Sequence, residues 1–136
     1  MGSDSFINQV YKIVISNLSD EKFGASDLAS VLGLSTSQTL RKVKAATGKS
    51  VARYIREVRL HKAAELIKET DLTMAEISYR VGFGSASYFS KAFSDHFGVS
   101  PGDYDTRDSI SGEILPPVEK YGSKQLLRRR GVYTVL

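Results

Sequence analysis

The sequence contains no cysteine among its 136 residues, and this absence excludes several classes of protein. Without thiols the chain has no disulfide framework, no thiolate metal site and no cysteine nucleophile. Its length suits one compact domain or two very small ones, and it rules out large α/β scaffolds such as an eight-stranded barrel. With 41% hydrophobic and 25% charged residues, the chain has enough apolar material to bury a core.

Long apolar runs are missing as well. No run approaches the ~18 apolar residues of a membrane-spanning helix, and the N-terminus lacks the basic and apolar stretches of a signal peptide. We therefore expect a cytoplasmic protein with no membrane partner. The opening Met1-Gly2-Ser3 resembles a cloning remnant, which predicts that the chain is a piece of a longer protein.

The signatures of common enzymes are also absent. The two histidines, His61 and His96, lie far apart in the chain and lack carboxylates at ligand spacing, which argues against a metal site or a general base. No Gly-x-Ser-x-Gly elbow occurs, and the two glycines at 82–85 lack the Gly-Lys of a phosphate loop. We therefore predict no enzymatic activity, no metal and no cofactor.

Positive charge, in contrast, is concentrated in one stretch. The net charge of +4 and the pI near 9.3 are by themselves a weak hint of an anionic partner. Between Arg41 and Lys68, however, nine basic residues face only Glu57 and Glu65, which leaves +7 (9 minus 2) in 28 residues. Such a local basic field favours contact with nucleic acid.

Apolar residues recur at three- and four-residue steps through the first 104 residues, which predicts helices. This periodicity predicts a first helix at about 4–18. Capping residues and glycines predict a short helix ending at Gly33 and further helices beginning at Ser35, Ser50, Thr73, Ser85 and Ser100. We expect an all-α fold of about seven helices over 4–104. It divides into a first lobe at about 4–49, a long linker helix at about 50–69 and a second lobe at about 71–104.

The apolar side of the linker helix changes halfway along its length. At 100° per residue Val51, Ile55 and Val58 cluster on one side, whereas Leu60 and Ile67 lie on the opposite side. This pattern predicts a helix that serves two separate cores. The alternative is a helix buried all round, and the many basic residues nearby argue against it.

The chain repeats itself at an offset of about 50 residues. The matching residues are Ser35 and Ser85, Ser37 and Ser87, Gly48 and Gly98, Ser50 and Ser100, and Tyr54 and Tyr104. Each copy contains a short helix, a tight turn and a second helix, which is the helix-turn-helix arrangement. In that arrangement the first helix braces the second, which enters a major groove of DNA. A helical hairpin that only packs is the alternative.

The second helix of each copy turns small polar and cationic side chains outward. These side chains are Ser37, Gln38, Arg41 and Lys44 in the first copy, and Ser87, Tyr88, Lys91 and Ser94 in the second. Such helices approach DNA closely, donate backbone N–H groups to phosphate and aim Arg or Gln at base edges. A rigid linker would hold two such helices about one DNA turn, ~34 Å, apart within a monomer.

The sequence resembles the DNA-binding domain of the AraC/XylS family of bacterial transcription factors over roughly 6–104. The most specific stretch is DLTMAEISYRVGF at 71–83, which continues through 87–93 and 97–101 to Tyr104 and is similar to the family's signature over its second helix-turn-helix motif. The first motif and the linker stretch at 59–67 match as well. The resemblance implies a monomeric seven-helix reader of double-stranded DNA. It implies that this reader follows a sensory or receiver domain and regulates transcription, usually by activating RNA polymerase.

Matching positions carry roles across by resemblance. The base-reading residues implied are Ser37, Gln38 and Arg41 in one groove, and Ser87, Tyr88 and Lys91 in the next. The residues implied to bind the DNA backbone are Ser35, Thr36, Lys44, Ser50, Ser85 and Ser100. The sequence departs from the family pattern at Leu40, Val51 and Asp105. Because the second motif lacks Arg and carries Asp95 nearby, we expect it to supply orientation and affinity more than base discrimination.

Residues 105–136 lie outside the resemblance and form an extension of unknown role. Pro116-Pro117 breaks any helix there, and residues 132–135 favour a strand, so an irregular or strand-containing segment is expected. We interpret the basic cluster of Arg128, Arg129 and Arg130 as a solvated charge run in preference to a DNA-contacting arm.

A function from another class competes with DNA binding. The chain would then be a helical protein-interaction module whose basic surface docks an acidic partner. This interpretation predicts that the chain protects no DNA and captures an acidic protein.

Overall fold

The computed structural model describes residues 2–106 of the chain, and it describes side chains for residues 5–104. The helices are α1 (Gly2–Ser16), α2 (Ala25–Leu32), α3 (Thr36–Thr47), α4 (Val51–Glu69), α5 (Met74–Arg80), α6 (Ala86–Phe97) and α7 (Pro101–Thr106). No strand occurs between residues 2 and 106, and the predicted all-α architecture is confirmed for that part. The expected strand at 132–135 and the cluster of three arginines lie outside the described residues.

Side-chain caps begin the helices at the residues that the sequence predicted. Ser35 Oγ accepts the N–H of Gln38 at 3.0 Å, and the Gln38 amide oxygen accepts the N–H of Ser35 at 2.9 Å, which forms a capping box. Thr73 and Glu76 form the same pair at the start of α5. The hydroxyls of Ser50, Ser85 and Ser100 each accept the N–H three residues further on.

The first helix differs from its predicted bounds of 4–18 and spans Gly2–Ser16 instead. Its end comes early because the N–H groups of Asn17 and Leu18 bond to carbonyls only three residues back, which tightens the last turn. Leu18 is nevertheless buried against the core. In α2, the apolar side chain of Val31 is 59% exposed, whereas Leu28 and Ala29 are buried.

The linker helix α4 runs through the middle of the molecule and is buried on almost every side. Of its 19 residues 13 are buried, and it contacts α1 and α3 as well as α5, α6 and α7. It therefore serves two cores, but it is also buried on almost every side, and the expectation that the basic residues would keep it exposed was wrong. Arg59 and Lys68 are buried with backbone carbonyls as partners, since hydrogen bonds satisfy a charge that water no longer reaches.

The two ends of α4 pack against cores of different composition. The first lobe, α1–α3, buries small aliphatic side chains, with Val10, Val14, Leu28 and Val43 at most 1% exposed. The second lobe, α5–α7, buries a cluster of aromatic rings whose neighbouring centroids lie 4.5–5.7 Å apart: Phe83, Phe89, Phe93, Phe97 and Tyr104. Tyr54 and Tyr104, which match across the repeat, are both fully buried, so the repeat extends to the packed interior.

The two histidines meet between α4 and α6. Their Nε2 atoms lie 3.1 Å apart, although 35 residues separate them in the chain, and the sequence analysis did not bring them together. Burial, together with the facing His96 ring, lowers the pKa of His61 to about 3. His61 is therefore neutral at pH 7. In the part of the chain that the structure describes, no group of three or more potential ligands surrounds a metal position.

Candidate nucleic-acid interface

Helix α3 presents the predicted reading residues of the first motif to solvent. Ser37, Gln38 and Arg41 are all exposed, whereas Thr39 and Val43 on the opposite side are fully buried. The 100° step between residues makes this separation, because i, i+3 and i+4 positions share one face. The predicted exposure of these three side chains is confirmed, and their contact with bases stays a prediction.

Gln38 has a second engagement that limits how it can meet a base. Its amide oxygen already accepts the N–H of Ser35 in the capping box. The oxygen keeps one lone pair, but the capping bond fixes its direction, whereas the NH₂ group takes no part in the capping box. A bidentate contact to adenine uses both the oxygen and the NH₂ of the amide. We therefore expect Gln38 to meet a base mainly through its NH₂ donors while the capping box is closed.

Helix α6 presents the second set of reading residues. Ser87, Tyr88 and Lys91 are exposed, with Phe89 and Phe93 buried behind them. The Tyr88 ring is 53% exposed and lies edge-on to Phe83 at 5.2 Å between centroids, which orients its outer edge away from the core.

The cation of the second set is partly neutralised by its own helix. Lys91 Nζ lies 3.5 Å from a carboxylate oxygen of Asp95, and both side chains are well exposed. Exposed pairs of this kind are weak, so Lys91 remains able to leave Asp95 for a phosphate or base.

A groove of about 390 Å³ separates the two recognition helices, as we call α3 and α6. Leu40 of α3 lines one side of it and Tyr88 of α6 lines another, with Ser50 and Arg56 contributed from α4. A neighbouring groove of about 480 Å³ is lined by Tyr88 and Lys91, and again by Arg56. Both recognition helices therefore border a shared concave surface.

Arg56 is the residue of this surface that the sequence analysis missed as an individual site. It is exposed, and it is a lining residue of both grooves. The available signal was helical periodicity. In the first half of α4 the exposed residues Ala52, Arg53 and Arg56 share one side of an otherwise buried helix. Within a run of nine basic residues this signal was hidden.

Few of the nine basic residues between Arg41 and Lys68 remain available to a partner once the side chains are placed. Arg59 and Lys68 are buried. Lys49 and Arg53 pair with Glu57 at 2.6 and 3.1 Å, and Lys62 pairs with Glu65 at 2.7 Å. Lys42 Nζ lies over the Phe6 ring, 5.0 Å from its centroid. Among the exposed side chains of this run that the structure describes, those without an ion pair or ring partner are Arg41, Lys44 and Arg56.

The residues implied to bind the DNA backbone lie mainly at helix starts. The hydroxyl oxygens of Ser35, Ser50, Ser85 and Ser100 serve as caps, and each hydroxyl keeps its own proton as a donor. Thr36 and Lys44 are exposed near the two ends of α3. Ser50 lines the groove between the recognition helices, whereas Lys44 and Ser100 line neither groove.

Taken together, the molecule carries two copies of a short helix, a turn and an outward-facing recognition helix on one central helix. This arrangement defines a DNA-binding domain with two helix-turn-helix motifs. Comparison with known proteins agrees, because residues 28–107 match the family described as "Helix-turn-helix domain". The chain belongs to the AraC/XylS-type helix-turn-helix family, whose members are transcription regulators.

Individual relatives share this part of the chain. "Histidine kinase P4" of Formosa agariphila is 35% identical over 106 residues, covering 78% of this chain and 8% of that protein. The "Transcriptional activator NphR" of Rhodococcus sp. is 34% identical over 98 residues, covering 72% of this chain and 29% of that protein. The chain thus spans well under half the length of these relatives.

A solved structure shows the same fold. It is the C-terminal domain of AraT, a response regulator from Geobacillus stearothermophilus, with 31% identity and a TM-score of 0.69. The match covers 77% of this chain and 87% of that one. Within residues 2–106 of this chain, no helix is both long and apolar enough to cross a membrane.

Proposed function

We propose that this domain binds double-stranded DNA with α3 and α6 in two successive major grooves, and that the protein containing it activates transcription. The observation that carries the proposal is the shared concave surface, bordered by both recognition helices with the Arg56 side chain between them. DNA between two successive major grooves presents phosphate backbone to the protein. A cation at this position therefore faces the anionic part of the duplex.

The two recognition helices make different contacts with the DNA. Arg41, which has no ion pair among the described side chains, makes a bidentate contact to guanine, and Gln38 donates its NH₂ to a neighbouring base. Leu40 is 44% exposed beside them and offers apolar contact to a thymine methyl. In the second groove Ser87, Tyr88 and Lys91 contact base edges more weakly. The backbone contacts come from Ser35, Thr36, Lys44, Ser50, Ser85 and Ser100, with Arg56 added.

Partners of the longer protein follow from what the relatives are called. One relative is named a histidine kinase and another a response regulator, so a sensory or receiver domain fits as the upstream partner. NphR is named an activator, which supports contact with RNA polymerase at the promoter. Because a transcription regulator binds chromosomal DNA, we expect this protein in the bacterial cytoplasm.

Selection from a random duplex library followed by footprinting tests the binding mode. We expect two protected major-groove segments about one turn apart on the same face of the duplex. No protection, together with capture of an acidic protein, would favour the interaction module instead.

Arg41→Ala and Lys44→Ala then separate base reading from backbone contact. Arg41→Ala should lower the binding free energy by roughly 1–3 kcal/mol and relax the preference for one particular base pair. Lys44→Ala should weaken binding to all sequences alike. It should also lower the slope of log K against log salt concentration by about one. Lys12→Ala removes an exposed cation of α1, outside both recognition helices, and serves as the charge-matched control. If Arg41→Ala weakens every sequence equally, the assignment of this face to base reading is wrong.

A further inference from the structure

A buried guanidinium lies near the middle of the central helix. Arg59 is 6% exposed, and its Nη1 donates to the carbonyls of Leu18 and Val81, the latter at 2.8 Å. Its Nη2 donates to the carbonyl of Asp20 at 3.0 Å. Arginine suits this site because its planar group offers several donors in a fixed fork. One side chain thus donates to three backbone carbonyls in the segments that follow α1 and α5, and the Asp20 carbonyl also accepts the N–H of Phe23 at 3.0 Å.

The three acceptors belong to different lobes. Leu18 and Asp20 lie in the turn that follows α1 in the first lobe, whereas Val81 is the residue that ends α5 in the second. Apart from contacts made by α4, the extensive contacts between helices stay within each lobe. The Arg59 guanidinium therefore forms a polar bridge between two units that otherwise meet mainly through the central helix.

Gly82 shows how closely the lobes approach at this bridge. Its φ is +87°, and a Cβ at this position would collide with the Arg59 guanidinium and with the Leu18 carbonyl. Gly33, which ends α2 at the matching point of the first motif, has φ +73° but no atom within 4 Å of its Cβ position. The two glycines share a backbone requirement, and only Gly82 also packs against the opposite lobe.

We propose that Arg59 is a positioning residue that fixes the orientation of the two recognition helices, and thereby the spacing between DNA half-sites that the domain accepts. The orientation part stands on the geometry alone. The DNA part rests on the proposed function. A residue that only stabilised the fold would change the midpoint of unfolding and leave spacing preference unchanged.

The distance between the recognition helices tests the orientation part without DNA. Because the chain has no cysteine, Ala45→Cys on α3 and Ala86→Cys on α6 accept spin labels at two unique exposed sites. We expect one narrow distance distribution in the parent chain. Arg59→Met, which keeps an aliphatic stem and removes the donors, should broaden or shift the distribution. Lys62→Met on the same helix, whose partner Glu65 lies within α4, is the matched control and should leave it unchanged.

Binding to a spacing panel tests the DNA part. The selected site is synthesised with its two half-sites moved by −1, 0 and +1 base pair. We expect the parent chain to prefer one spacing by at least about tenfold, and Arg59→Met to reduce that preference to about threefold or less. Affinity for a duplex with the first half-site alone should change by less than about twofold.

The outcomes separate the two proposals. A folded Arg59→Met chain with unchanged distances and unchanged spacing preference overturns the positioning role. If Arg59→Met does not fold, as judged by circular dichroism, Gly82→Ala compared with Gly33→Ala decides the question, since only the former displaces the guanidinium. A parent chain that binds no duplex overturns the proposed function, and the distance measurement still decides the orientation part.

Discussion

The two helix-turn-helix motifs have the same geometry and different chemistry. The first has a small aliphatic core and an exposed face with Arg41 and Lys44, neither of them ion-paired among the described residues. The second has an aromatic core, and its exposed Lys91 is paired with Asp95. The two motifs therefore share a backbone fold but expose different side chains. Under the proposed function, the first copy supplies base discrimination and the second supplies attachment to the DNA.

The two motifs also differ in how they contact the central helix α4. The second motif contacts the central helix through the two histidines and through Lys68, whose Nζ donates to the Tyr104 carbonyl at 3.2 Å and lies over the Tyr104 ring. The first motif contacts it through apolar side chains and the Lys49–Glu57 pair. We expect the stability of the second motif to depend more strongly on aromatic packing and on pH.

The largest expected effect is truncation of the aromatic core. Phe93→Ala should lower the free energy of unfolding by about 3–5 kcal/mol, because it removes a fully buried ring that contacts Phe89, Phe97 and Tyr104. Val43→Ala, at the matching position of the first motif, should cost about 2 kcal/mol, since it removes two buried carbons. Denaturant unfolding of both variants measures the difference. Equal costs would show that the two cores do not differ in the way their composition indicates.

The next effect is acid sensitivity of the second motif. His61 is neutral in the folded chain, with its pKa lowered to about 3, whereas the unfolded chain binds that proton near pH 6.5. The contribution of His61 to the free energy of unfolding is therefore fully present above pH 6.5 and is lost as the pH falls below that value. Between pH 6.5 and 5 the loss is about 2 kcal/mol for this group. The pKa of His96 is also lowered by burial, so it adds to the loss.

Hydrogen exchange as a function of pH measures this effect by region. Amides of α6 should lose protection at pH 5 before those of α3, because the chain has two histidines and both lie in the contact between α4 and α6. Direct NMR titration should show His61 unprotonated down to about pH 4. A His61 titration near pH 6.5 would contradict the argument.

A smaller effect separates the two roles of Gln38. Gln38→Glu keeps an oxygen that accepts the Ser35 N–H, so the free energy of unfolding should change by less than about 0.5 kcal/mol. The same change removes the NH₂ donors and adds negative charge at the DNA surface. Affinity for the selected site should therefore fall by at least about tenfold, or 1.4 kcal/mol. Thermal unfolding and a binding isotherm on the same sample check both halves, and unchanged affinity would remove Gln38 from the reading set.

The smallest expected effect concerns the pair on α6. Asp95→Asn removes a carboxylate 3.5 Å from Lys91 and should raise affinity for all duplexes about two- to threefold at low salt. Because the added attraction is electrostatic, the gain should shrink as salt rises. Ala45→Asn, at the matching position of α3, is the control and should leave affinity unchanged. A gain confined to one sequence would show that the second motif discriminates bases more than we propose.

The sequence analysis predicted most of the local structure because local structure depends on neighbouring residues. Caps such as Ser35 and Thr73 act over three residues, and outward faces such as that of Arg41 follow from the 100° step. The repeat and the family signature then placed these elements in a known order. The degree of burial of α4 was not predicted, because basic residues near a helix were assumed to keep it in solvent.

What the sequence determined by itself is the set of helices, their exposed faces and the family to which they belong. Only the tertiary structure decided which charges remain available. It buried Arg59 and Lys68, paired Lys49 and Arg53 with Glu57, and left Arg56 between the recognition helices. It also brought His61 against His96, and Arg59 against the Leu18 and Val81 carbonyls. The physical reason is distance along the chain. Partners 22 to 41 residues apart are joined by packing that no local pattern encodes.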